Sequence, residues 1–183
     1  LTGGLDSLDA EMLHHLQMSG ITRPTAGVPL QLVGALDDAP EMAGVLAAHA
    51  RTLAQAPQDQ ALFLIGHGPN SGEDYAAWMT NLRRVADTVR ARTGFRSVLV
   101  GLVQDDAPPP VRAEAVARIR ELIQLQHAVT GREVVVVPIL IANGTVSNAK
   151  VPHDLEGLPV AYTAAGLAPD TSIARWIEAR VQG

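Results

Sequence analysis

Short apolar runs at Pro29 to Gly34, Ala61 to Gly66, Ser97 to Val103, Glu133 to Ile141 and Leu158 to Thr163 punctuate the chain. Between them the apolar residues recur at helical spacing. A hydrophobic pattern that switches this way between strand-like runs and a 3.6-residue period belongs to βα units laid around a parallel sheet, so the chain reads as α/β. Several runs, Val134-Val135-Val136-Val137 above all, have no polar residue to turn toward water. Strands covered by helices on both faces look like this. Tyr75, Trp78, Met79, Leu82, Val85, Ala86 and Val89 form one helical stripe, with Arg83, Arg84 and Arg90 off it. Further stripes carry Val116, Ile119, Ile123 and His127, and then Ile173, Ile177 and Val181.

A short internal repeat bears on domain organisation. Ala39-Pro40 to Ala50-Arg51 recurs as Ala168-Pro169 to Ala179-Arg180, each copy after a strand pattern and at the start of an amphipathic helix. Chance matching in an Ala-rich chain competes with duplication as the explanation. On the duplication reading, residues 1–27 are a linker with a short helix around Met12 to Leu16. Residues 28–56 are then the last strand-helix unit of a preceding half, and residues 61–183 a complete half. Leu1, where an initiator Met would stand, points to sequence upstream.

Composition removes several function classes. The 183 residues, 47% apolar and 18% charged, suffice for one core. With no cysteine, disulfides, thiolate metal sites and cysteine nucleophiles are excluded. A net charge of -5, no dense basic tract and 3% aromatics argue against a nucleic-acid partner. No apolar run approaches the ~18 residues of a membrane span, and no leader pattern opens the chain, so a soluble, cytoplasmic protein without a membrane partner is expected.

Ligands of parallel sheets bind beyond the carboxyl ends of the strands, which directs attention to three loops. The first, Gly66-His67-Gly68-Pro69-Asn70-Ser71-Gly72, sets a histidine between glycines after a buried run, with Asn70 or Ser71 placed to cap the next helix. His67 there suits a metal ligand or a proton acceptor; the plain alternative is a histidine hydrogen-bonded to a neighbouring loop. Gly66-x-Gly68-x-x-x-Gly72 is one residue too long for the strict dinucleotide fingerprint, and neither a Walker loop nor a Gly-x-Ser-x-Gly elbow occurs. Gln104-Asp105-Asp106-Ala107-Pro108 offers two carboxylates able to hold a cation or accept protons. Asp37-Asp38-Ala39-Pro40 repeats the pattern and favours ordinary helix capping. The third loop, Ala142 to His153, is long for a βα connection and carries Lys150 and His153. His127 reads as a structural histidine, while His14, His15 and His49 lie away from strand ends.

Leu62-Phe63-Leu64-Ile65-Gly66-His67-Gly68, the Pro-containing loop after Val98 to Val103, and Val134-Val135-Val136-Val137-Pro138-Ile139-Leu140 together resemble the class II tetrapyrrole chelatases. The nearest group is the CbiX/SirB-type sirohydrochlorin chelatases. The resemblance covers residues 61–183 as one chelatase-like half and 28–56 as the tail of another. It implies a chelatase-like three-layer sandwich with a mostly parallel sheet, and insertion of Co2+, Fe2+ or Ni2+ into a tetrapyrrole with no organic cofactor. His67 would then be the metal ligand, with Asp105 beside it in catalysis. Gly66, Gly68, Asn70, Gly144 and Lys150 would meet the substrate, whose carboxylates Arg83 or Arg84 could also reach. An upstream half or a second copy of the chain would complete the cleft. The chain departs from the family pattern too: Val146 stands where a second histidine is expected and Lys150 where an aspartate is. This leaves open a non-catalytic half that walls the cleft.

Overall fold

The computed structural model describes residues 36–69 and 72–182, and structural statements below concern those residues. The expected linker, the helix around Met12 to Leu16, the strand at Pro29 to Gly34, and Asn70 and Ser71 lie outside them. In chain order the elements are α1 (Pro40–Leu53), β1 (Ala61–Gly66), α2 (Gly72–Thr93), β2 (Ser97–Leu102), α3 (Pro109–Thr130), β3 (Val134–Ile139), α4 (Val151–Asp154), β4 (Val160–Tyr162) and α5 (Thr171–Gln182). The strands form one sheet in the order β2-β1-β3-β4, every pairing parallel. Each apolar run read from residue 61 onward is a strand, trimmed at its ends.

Alternation along β1 divides the core in two. Leu62 and Leu64 point to one face, where they pack with Val45 and Leu46 of α1, Val85 and Val89 of α2, and Val135 and Val137 of β3. Ala61, Phe63 and Ile65 point to the other, against Ile119 and Ile123 of α3 and Val151 and Leu155 around α4. The result is three layers, helix on sheet on helix, as expected of a sheet covered on both sides. Pro138 sits in β3 where β4 has already ended, so the N–H it lacks is not needed by that neighbour.

Helix packing departs from the sequence stripes in places. Trp78 remains 46% exposed while Tyr75 and Met79 pack against the core. Ile173 reaches the core, but Ile177 and Val181 further along α5 are exposed. Helix α1 shares its core with α2 and β3, within one compact unit that begins at Leu36. Neither α1 nor α3 carries a side-chain N-cap: the capping positions are Ala39 and Pro108. This corrects the capping reading of the two Asp-Asp-Ala-Pro segments and leaves their carboxylates free for other contacts. No described helix is long and apolar enough to cross a membrane.

Candidate metal centre

The loop after β1 leads to the α2 face of the sheet, whereas those after β2 and β3 lead to the α3 face. The chain therefore parts at the carboxyl end of β1, where a ligand crevice opens in such sheets. His67 stands there. Its loop and that of β2 are laced together, Val103 N–H donating to Gly66 O at 2.9 Å and Asp105 N–H to His67 O at 3.3 Å. The glycines permit this approach. A Cβ on Gly66 would lie 2.7 Å from Leu102 Cδ2, and Gly68 adopts φ +91°, where one would lie 3.0 Å from Leu102 Cβ.

His67 Nε2 lies 3.5 Å from Asp106 Oδ2 and 3.9 Å from Asp105 Oδ2. His67, Asp105 and Asp106 each present one ligand atom, all within 4.8 Å of one another. Nδ1 is 3.0 Å from Gly68 O, and a carbonyl only accepts, so the hydrogen-bond network assigns the proton to Nδ1. Nε2 then faces two carboxylates, so the imidazole presents its free lone pair where a shared ion could be held. One imidazole and two carboxylates suit several first-row divalent metals without selecting one.

Asp105 is the anchored member. Its side chain is 3% exposed; Oδ1 accepts from Arg112 Nε at 3.1 Å and Oδ2 from Lys150 Nζ at 2.6 Å. Burial pushes the Asp105 carboxyl up, but hydrogen bonds from Lys150 and Arg112, with their charges, outweigh it and hold its pKa below the ordinary carboxylate range. Arg112 in turn grips Asp154 through Nη1 at 3.2 Å and Nη2 at 2.8 Å. That bond to Asp154, opposed by burial, raises the Arg112 pKa. Asp106 is two-thirds exposed and forms the solvent side of the cluster.

Of the residues singled out in the sequence, the structure brings His67, Asp105 and Lys150 together, with Gly66 and Gly68 shaping the loop that carries His67. Gly144 is exposed; its N–H donates to Ser147 Oγ at 3.0 Å, and its carbonyl accepts from the same hydroxyl. Asn70 lies outside the described residues. Arg84 pairs with Asp38 at 3.4 Å, and His153 with Glu156 at 3.5 Å. His127 Nδ1 lies 2.8 Å from Arg132 O, as befits a structural histidine. Sequence reading missed Arg112, which holds Asp105 from the α3 face, and Asp154, which holds Arg112; Asp106, open in the sequence between holding a cation and capping, does not cap α3. A groove of about 1050 Å³ follows the free edge of β2 between α2 and α3, but none of His67, Asp105, Asp106 and Lys150 lines it.

No protein-family model matches the sequence. No curated protein matches it either. Among solved structures, SirB from Bacillus subtilis with Fe3+ resembles it with a TM-score of 0.59 at 13% sequence identity, covering 100% of this chain and 66% of that one. The likeness establishes a chelatase-like fold, and the chain spans about two-thirds of the length of the SirB chain.

Proposed function

We propose that this chain is a sirohydrochlorin-type metal chelatase that inserts a divalent metal, cobalt foremost, into a tetrapyrrole in cobalamin or sirohaem biosynthesis. The observation that carries the reading is the His67, Asp105 and Asp106 cluster at the strand ends of a fold like that of SirB. Insertion exchanges one divalent ion for two pyrrole protons. His67 Nε2 and the carboxylates would hold the incoming ion. Asp105, held ionised by its two cations, serves as ligand rather than proton acceptor. The exposed Asp106 and the imidazole, once the metal has left it, are placed to take the protons and pass them to water. Gly66, Gly68, Asn70 and Gly144 would border the macrocycle, and an upstream half or a second copy would close the cytoplasmic protein's cleft; α1, packed into the core of this half, is part of it rather than the tail of another.

A second reading has its own support. Val146 stands in place of a second histidine, and Lys150 already occupies Asp105, which favours a non-catalytic half that walls the cleft. Mixing the purified chain with sirohydrochlorin and Co2+ and following the tetrapyrrole spectrum separates the two. Conversion faster than the protein-free control supports the enzyme; a spectral shift on binding without acceleration supports the wall. A spectrum indifferent to the protein rejects both.

A further inference from the structure

Resting on the reading of His67, Asp105 and Asp106 as a metal site, the geometry assigns a role to Lys150 that substrate contact does not cover. Its ammonium sits on Asp105 Oδ2, the oxygen 3.9 Å from His67 Nε2. The position is built. Lys150 ends a wide helical turn, Val146–Lys150, in which Ser147 is buried, its hydroxyl tied to Gly144 and its carbonyl accepting from Tyr162 Oη at 2.7 Å. The lysine stem is thus delivered to the cluster from a fixed backbone.

The two cations on Asp105 differ in how readily they can leave. Arg112 is three-quarters buried and also bound to Asp154 through both terminal nitrogens, so it stays. Lys150 is 46% exposed and has a flexible stem, with Asp105 its bonded partner here. A divalent ion bound to Asp105 Oδ2 and His67 would lie beside that ammonium and repel it. We propose that Lys150 is a resident, displaceable cation: it neutralises the empty cluster, swings out as the metal enters, and so weakens metal binding. For a site that passes its ion on, a weak hold is an advantage, and an anionic substrate would offer the freed ammonium a new partner.

Titration with Co2+ at neutral pH, read by calorimetry and by the visible cobalt bands, tests this on wild type, Lys150→Met, Lys150→Arg, His67→Ala and the His67→Ala/Lys150→Met double variant. Lys150→Met is expected to bind Co2+ about two- to fivefold more tightly than wild type, the scale of one partly exposed ion pair. Lys150→Arg, which keeps the charge, is expected to bind no more tightly than wild type, and the double variant to lose the gain. Equal affinities of wild type and Lys150→Met, with His67→Ala weaker, would overturn the role of Lys150 while leaving the metal site in place. Affinity unchanged by His67→Ala would remove the site itself and the inference with it.

Discussion

Replacing Arg112 by Met tests whether the cluster is held from the α3 face. Arg112 makes three charged hydrogen bonds, at 3.1 Å to Asp105 and at 3.2 and 2.8 Å to Asp154, whose side chains are 3% and 8% exposed. Removing one partner of a buried ion pair costs about 3–5 kcal/mol, because the other charge is left uncompensated. A quarter of Arg112 reaches solvent and Asp105 would keep Lys150, so the expected loss falls below that range, at about 2–3 kcal/mol. For a chain of this size that lowers Tm by roughly 4–12 °C. Urea unfolding at pH 7 measures it, and acid provides a second check. The folded Asp105 pKa lies below its unfolded value, so the stabilisation is present above about pH 4 and is lost as pH falls through the folded pKa. The gap between wild type and Arg112→Met is therefore expected to narrow below about pH 4. Asp154→Asn in the same background should recover part of the loss. A gap under about 0.5 kcal/mol at pH 7, within the range of ordinary surface substitutions, would refute the argument, as would one that acid leaves unchanged.

Other expectations concern the backbone and the supporting turn. Gly68→Ala combines a left-handed φ of +91° with a Cβ 3.0 Å from Leu102 Cβ and 3.2 Å from Gln104 N. It should cost about 1–3 kcal/mol in urea unfolding and, by moving the His67 loop, weaken Co2+ binding. Gly101→Ala would place a Cβ 2.8 Å from both Ile119 Cγ1 and Phe63 Cζ; a loss of about 1–3 kcal/mol with Co2+ affinity retained is expected. Burial pushes the Tyr162 hydroxyl up to about 12. Its stabilisation is present below about pH 10 and lost as pH rises through the folded pKa. Ultraviolet titration should show a late phenolate phase that Tyr162→Phe abolishes, with about 0.5–1.5 kcal/mol of stability lost at pH 7.

How legible the fold was in the sequence follows from the range of each interaction. Strand and helix existence depends on local period, and Val134 to Val137 or the stripe from Tyr75 to Val89 declares itself without partners. Burial around a helix depends on what packs against it, so Trp78 on α2 and Ile177 and Val181 on α5 have apolar spacing yet face solvent. The site was legible only where the backbone advertised it: glycines on both sides of His67 mark a tight turn at a strand end. Arg112 and Asp154 carry no such mark. They are 42 positions apart, on α3 and α4, and meet only because both elements cover the same face of the sheet. Asp106 is ambiguous in the sequence because Asp before Ala-Pro looks like a cap as much as a ligand, whereas in the structure Pro108 takes the capping position.

In the proposed site His67, Asp105 and Asp106 jointly hold a divalent metal at the carboxyl end of β1. Anomalous diffraction from crystals grown with Co2+ measures this directly. A cobalt peak is expected about 2.1 Å from His67 Nε2 and within bonding distance of an oxygen from each carboxylate, with the Lys150 ammonium moved off Asp105. A cluster without cobalt beside a cobalt-loaded site elsewhere, or Lys150 still seated on Asp105 with the metal bound to His67 alone, would contradict it.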